Sequence, residues 1–216
     1  MKLYVYDHCP YCVRARMIFG LKKVSYELKI ILNDDEKTPI SMVGKKVVPI
    51  LEKDDGSYMP ESMDIVHYVD DFYPPKLLTG KSSAEIMELV EQLDDNAFRQ
   101  LVTPRFISIG LPEFATAGAI SYFTEKKQQS LGKFADCLAK TATLCDEIQP
   151  ILVKLDAKLA GMVSDQRELS TDDIQLFPLL RNLSIVKELK FPENVKRYMQ
   201  WMSQKSGVDL YFDRSI

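Results

Sequence analysis

The sequence predicts a two-part chain: a small mixed α/β unit over residues 1–75, a linker at 76–83, and an all-helical unit over 84–216. Three observations predict it. Strand-like patterns are confined to the first sixty or so residues and alternate there with helical ones. The stretch Tyr73-Pro74-Pro75-Lys76-Leu77-Leu78-Thr79-Gly80-Lys81-Ser82 has linker composition. Beyond it the apolar residues recur only at helical spacing.

In the first unit, Leu3-Tyr4-Val5-Tyr6 is a short continuous apolar run, as expected of a buried central strand, and Asp7-His8 breaks it. Pro10 to Lys23 reads as a helix with Val13, Met17 and Leu21 on one side. Tyr26, Leu28, Ile30 and Leu32 alternate with Glu27, Lys29 and Ile31, a period-two strand. Asn33-Asp34-Asp35 supplies cap chemistry for a short helix over 36–44. Val47 to Leu51 reads as a third strand, Asp54-Asp55-Gly56 as a turn, and Ser57-Tyr58-Met59 as a fourth strand. Ile65, Val69 and Phe72 mark a helix over 61–72. The first strand–helix–strand unit predicts a right-handed parallel crossover, and the last two strands a hairpin.

In the second unit, Ile86, Leu89, Val90, Leu93 and Ala97 mark one helix, and residues 108–133 are less regular. Phe134, Leu138, Thr141, Cys145, Ile148, Leu152, Leu155 and Leu159 predict a long apolar seam that Pro150 kinks or divides. Ser170 to Asp173 opens a helix running from Ile174 to about Lys187, and Pro192 opens a last one through Trp201.

The formal net charge is −3, and no basic stripe of the kind nucleic-acid binding needs is present. No apolar run approaches the roughly 20 residues of a membrane span. The apolar stretch at the N-terminus is too short for a signal peptide, so the cytoplasm is the expected compartment. In a reducing compartment, a close cysteine pair points to catalysis or metal binding rather than to a structural bridge.

The chain has four cysteines, Cys9, Cys12, Cys137 and Cys145. Cys9-Pro10-Tyr11-Cys12 sits where a buried strand hands over to a helix, with Pro10 in the first turn, where its missing N–H costs nothing. The helix N-terminus carries unpaired N–H groups and partial positive charge, which favour thiolate at Cys9. Cys12 lies one turn later on the same face, within reach of a disulfide and further from the helix end. Cys9 is therefore the attacking thiol and Cys12 the resolving one. Two cysteines are half of a zinc site, but no further pair at ligand spacing accompanies them, so no metal is expected. Cys137 and Cys145, about 12 Å apart along a helix, read as packing residues. His8 is expected to be neutral, partly exposed and without a dedicated role, and His67 to pack or meet solvent.

Cys9-Pro10-Tyr11-Cys12 after a first strand resembles the glutaredoxin active-site motif. Val48-Pro49 resembles the cis-proline position of the thioredoxin-like fold, and Glu61-Ser62 the glutathione-reading pair of glutathione transferases. Ser170-Thr171-Asp172-Asp173-Ile174 is similar to the transferases' buried capping box, with Leu169 stapled onto Ile174. The combination resembles the large two-domain bacterial glutaredoxins over essentially the full chain. In small glutaredoxins a Gly-Gly pair precedes the site's Asp. Here Pro60-Glu61-Ser62-Met63-Asp64 stands in that place, as in transferases.

The resemblance implies a thioredoxin-like N-terminal domain of the transferase type and an all-α transferase-type C-terminal domain. It implies a glutathione-dependent thiol–disulfide oxidoreductase with glutathione as co-substrate, bound by Pro10, Tyr11, Val48, Pro49, Glu61 and Ser62. Val48 would pair with the cysteinyl part of glutathione as an added strand does, and Ser62 would bind the γ-glutamyl carboxylate. Tyr11 would cover the sulfur. The partners implied are glutathionylated or disulfide-containing proteins and, indirectly, glutathione reductase with NADPH, for a chain that acts as a monomer. The competing readings are a glutathione-conjugating transferase, a non-enzymatic binding module on the same scaffold, and an iron–sulfur carrier.

Overall fold

The computed structural model describes all residues, Met1–Ile216. Four strands, β1 (Lys2–Val5), β2 (Glu27–Ile30), β3 (Ile50–Glu52) and β4 (Tyr58–Pro60), form one sheet in the order β2-β1-β3-β4. β1 runs parallel to β2 and antiparallel to β3, and β3 pairs antiparallel with β4. Three helices accompany them: α1 (Pro10–Leu21), α2 (Lys37–Val43) and α3 (Ser62–Phe72). The predicted parallel crossover and terminal hairpin are both present. β2 departs from its expected alternation: it spans four residues and leaves Leu28 exposed. The reason is its place at the sheet edge, paired with β1 alone.

The rest of the chain is helical: α4 (Ala84–Leu93), α5 (Asn96–Phe106), α6 (Ala117–Leu131), α7 (Phe134–Ala139), α8 (Thr141–Leu159), α9 (Thr171–Leu183) and α10 (Glu193–Ser206). A 3-10 turn, Pro112–Phe114, precedes α6. Ile86 to Ala97 is two helices rather than one. The chain breaks at Asp94, and the Asp95 carboxylate caps α5 by accepting from the Phe98 N–H at 2.9 Å. Pro150 lies exposed inside an unbroken α8; the seam divides instead at Lys140, between α7 and α8. That break shifts the helical phase, so Cys137 faces inward and Leu138 outward, while Leu144, Ile148, Leu152, Leu155 and Leu159 carry the buried stripe.

α1 holds the two parts together. Cys12, Val13, Ala15, Met17, Ile18 and Phe19 are all buried, far more than the one apolar side expected of a surface helix. It packs on α3 within the α/β unit and on α9 and α10 of the helical unit. At Gly20 the approach is so close that a Cβ would lie 1.7 Å from the Ser206 carbonyl oxygen on α10. The linker is stitched down as well. Asp70 accepts from the N–H groups of Leu77 and Leu78, and Asp172 from Ser82 Oγ and the Ser83 N–H. Leu78 forms a β-bridge with Leu169.

The capping box at α9 is formed as expected. Ser170 Oγ accepts from the Asp172 N–H at 3.2 Å, and the Ser170 N–H donates to Asp173 Oδ2 at 2.9 Å. Asp173 also receives a two-pronged bond from Arg167 and a hydrogen bond from the Tyr198 hydroxyl. α9 ends at Leu183, one turn earlier than expected.

Candidate active site

Cys9 is the N-cap of α1, with extended backbone (φ −70°, ψ 119°), Pro10 at the first helical position, and its carbonyl accepting from the Val13 N–H at 3.0 Å. The cap has no side-chain acceptor, so the N–H groups of the first turn stay open toward the Cys9 sulfur. Cys12 is fully buried beneath it, with its sulfur accepting from the Tyr6 N–H at 3.4 Å. All four cysteines are free thiols.

The two sulfurs differ in acidity. The Cys12 thiol, donating to Cys9, is the largest influence that brings Cys9 down to about 6. Burial opposes it, while the charge of His8 and the N–H groups of Cys12 and Tyr11 add to it. Cys12 is pushed the other way, first by burial and then by Cys9 itself.

Cys9 opens onto a cleft of about 660 Å³ between the α/β unit and the helical unit. Its walls include Cys9, Pro10, Tyr11 and Val48 from one side and Phe106, Tyr122 and Lys126 from the other. Tyr11 is half-exposed beside Cys9, with the Arg14 guanidinium 4.7 Å over its ring. Of the other residues singled out in the sequence, Pro49, Glu61 and Ser62 lie outside this cleft wall. They are brought together at the same end of the sheet, because Ile50 pairs with Pro60 in the β3–β4 register.

The bond before Pro49 is cis, as the resemblance implies. Neither main-chain group of Val48 bonds to another main-chain group. Glu61 is the N-cap of α3, exposed, in a left-handed conformation (φ 73°) that only a surrounding constraint holds. Ser62 is buried at the first position of α3, where its hydroxyl is not used as the helix cap.

His8 corrects an expectation. Its side chain is buried rather than partly exposed, and Nδ1 lies 2.6 Å from Glu113 Oε1. One residue earlier, Asp7 Oδ1 accepts from Arg16 Nη1 at 2.6 Å. Sequence reasoning missed Glu113, Arg181 and Tyr211 altogether. Arg181 and Tyr211 reach Asp7, two residues ahead of Cys9, from 174 and 204 positions away. No local pattern links residues so distant. Cys137 is buried and Cys145 packs against the helical core, as expected of packing residues, and His67 meets solvent.

A dithiol at the head of a helix on a thioredoxin-like sheet, facing an all-helical domain across a cleft, defines a redox protein built on the glutathione-transferase architecture. Residues 3–77 match the glutathione S-transferase N-terminal domain, and residues 85–215 match the C-terminal domain of glutaredoxin 2. The chain is 49% identical to glutaredoxin 2 of Escherichia coli K12 over 216 residues, all of both chains. The crystal structure of glutaredoxin 2 from Salmonella typhimurium in complex with glutathione superposes with a TM-score of 0.95 at 46% identity, covering 100% of this chain and 98% of that one. Glutathione transferase GSTFuA3 from Phanerochaete chrysosporium shares the fold alone, with a TM-score of 0.75 at 15% identity over 97% and 98% of the two chains. The chain belongs to the glutaredoxin 2 family.

Proposed function

We propose that this protein is a glutathione-dependent thiol–disulfide oxidoreductase in which Cys9 is the nucleophile and Cys12 the resolving thiol. The observation that carries this reading is the placement of Cys9 at the uncapped N-terminus of α1, with Cys12 fully buried one turn further on.

The Cys9 thiolate attacks the glutathione sulfur of a protein–glutathione mixed disulfide. That disulfide breaks, the protein leaves as thiolate and takes a proton from solvent, and glutathione stays bonded to Cys9. A second glutathione, as thiolate, attacks the bound glutathione sulfur. Cys9 departs as thiolate, and oxidised glutathione is released. A low thiol pKa serves both halves, since it populates the attacking form and makes Cys9 a good leaving group. With a protein disulfide, Cys9 becomes linked to the substrate and its negative charge disappears. That charge is one of the causes that disfavour the Cys12 thiolate, so its loss frees Cys12 to give up its proton and attack the Cys9 sulfur; the Cys9–substrate bond breaks, the substrate sulfur leaves and takes up a proton, and the Cys9–Cys12 bridge closes.

Glutathione lies in the cleft, where the unpaired main-chain groups of Val48 accept it as an added strand. Ser62 and the open N–H groups of α3 hold its γ-glutamyl carboxylate, with Glu61 facing the amine. Pro10, Tyr11 and Pro49 shape the sulfur end. The working division is a redox domain over 1–75 and a helical domain over 84–216, joined by 76–83. The substrates are glutathionylated or disulfide-containing proteins. Glutathione reductase and NADPH restore the glutathione, and the protein acts as a single chain in the cytoplasm.

The test is reduction of hydroxyethyl disulfide by glutathione, coupled to glutathione reductase, on wild type and Cys9→Ser, beside chlorodinitrobenzene conjugation. Disulfide reduction that vanishes in Cys9→Ser supports the reading. Conjugation without disulfide reduction replaces it with a transferase.

A further inference from the structure

The residue before the nucleophile has surroundings unlike those of any other ionisable group at the cleft. His8 is buried, its ring packed among Tyr6, Phe106, Phe114 and Phe123 with centroid distances of 4.8 to 5.9 Å. Glu113, on the 3-10 turn before α6, has no exposed surface. Its Oε1 accepts the His8 main-chain N–H at 2.9 Å and faces Nδ1 at 2.6 Å. Its carbonyl accepts from the Asn33 N–H at 2.9 Å, so the turn itself is pinned to the α/β unit. Asn182 on α9 closes the grip by donating to the His8 carbonyl at 2.9 Å.

A carboxylate enclosed by aromatic rings is costly to bury unless a charge compensates it. Glu113 forms no ion pair except the one with the His8 ring, and its Oε2 has no partner. Because a carboxylate only accepts, Nδ1 must be the donor.

We propose that Glu113 acts on Cys9 through His8: the carboxylate from the helical domain locks a positively charged imidazole beside the nucleophile, so that thiol reactivity depends on the docking of the helical domain. Glu113 is thereby a positioning residue. The inference rests on Cys9 being the nucleophile, as proposed above. The positive charge of His8 is among the causes that favour the Cys9 thiolate. The other titratable groups facing this pair are Tyr6, just past β1, whose ring stacks on that of His8, Cys9 itself, and Tyr211, whose hydroxyl is disfavoured as an anion by the charge of Glu113.

The sign of the effect separates this role from its rivals. Removing the Glu113 charge by Glu113→Gln keeps an acceptor for both N–H groups. Acting directly on the sulfur, a lost negative charge lowers the Cys9 pKa. Acting through His8, it weakens the imidazolium and raises that pKa. The experiment follows mass-resolved iodoacetamide alkylation of Cys9 against pH, without glutathione, in wild type, Glu113→Gln, His8→Gln and the double variant. The proposal expects Glu113→Gln to move the midpoint upward and to slow alkylation at pH 6 by about fivefold. It expects the double variant to match His8→Gln, with no further change. A downward or unmoved midpoint in a folded Glu113→Gln protein overturns it, as do additive effects. If Glu113→Gln does not fold, His8→Gln carries the test alone, and an unchanged midpoint there overturns the proposal. Wild-type disulfide reduction by glutathione, measured separately, reports on the proposed activity and not on this pair.

Discussion

The Arg181 guanidinium on α9 clasps Asp7: Nη2 donates to Oδ2 and Nη1 to the main-chain carbonyl, both at 2.8 Å. Arg181 is fully buried, and its remaining N–H groups reach the Asp209 carbonyl and the Tyr211 hydroxyl. The segment that delivers Cys9 is therefore held from the helical domain at two successive residues, Asp7 by Arg181 and Tyr211, and His8 by Glu113 and Asn182. The redox helix and its preceding loop are shaped as much by the second domain as by the first.

Asp7→Asn leaves the Arg181 charge buried without a counter-charge. The expected loss is about 3 kcal/mol or more in urea unfolding, since breaking one side of a buried pair strands the other. Arg181 and Arg16 hold the Asp7 carboxyl well below the ordinary range. A depressed carboxylate contributes stability above its unfolded pKa and loses it as pH falls through the folded value. Wild type is thus expected to lose stability steadily below about pH 4, and Asp7→Asn to show a shallower acid slope.

Gly20→Ala tests the contact between α1 and α10. A Cβ there meets the backbone of Ser206, which is no flexible side-chain tip, so the helices must separate. Destabilisation on the order of 3 kcal/mol is expected from chemical denaturation. The control is Ala at Gly132, where the Cβ meets nothing within 4 Å and only the positive φ of 82° opposes it, at a cost of about 1 kcal/mol.

Cys12→Ala removes the thiol that donates to Cys9, the largest influence on its acidity. The Cys9 midpoint is expected to rise, while turnover of glutathione mixed disulfides persists and reduction of protein disulfides is lost. Cys12→Ser, which keeps a donor, is expected to shift the midpoint less. Equal loss of mixed-disulfide turnover in Cys9→Ser and Cys12→Ser would count against the assigned roles.

Ser170→Ala is expected to cost about 1 kcal/mol, the ordinary value of a helix cap. Asp173→Ala is expected to cost clearly more, because it also strands Arg167 and the buried Tyr198 hydroxyl. Thermal unfolding of both variants checks the ranking.

Much of this architecture was legible in the sequence because its signals are local. Apolar periodicity, Pro10 at a helix start and Ser170 with Asp173 at another each act within a turn or two of chain. The legible part of the site was equally local, namely the Cys9–Cys12 spacing and the strand-to-helix handover. What stayed hidden was long-range. Burial of α1 on all sides follows from docking of α9 and α10, and nothing near Gly20 announces Ser206. Glu113 lies in a stretch without clear periodicity, yet it finds His8 across 105 positions. Leu138 and Cys137 exchanged places because one break at Lys140 resets a helical phase that spacing alone carries through.

The most direct measurement is the pH dependence of Cys9 alkylation in the reduced wild-type protein. A midpoint near 6 is the predicted result. A midpoint near the free-cysteine value of about 8.5 would contradict it, because the sulfur would then be a thiol at neutral pH.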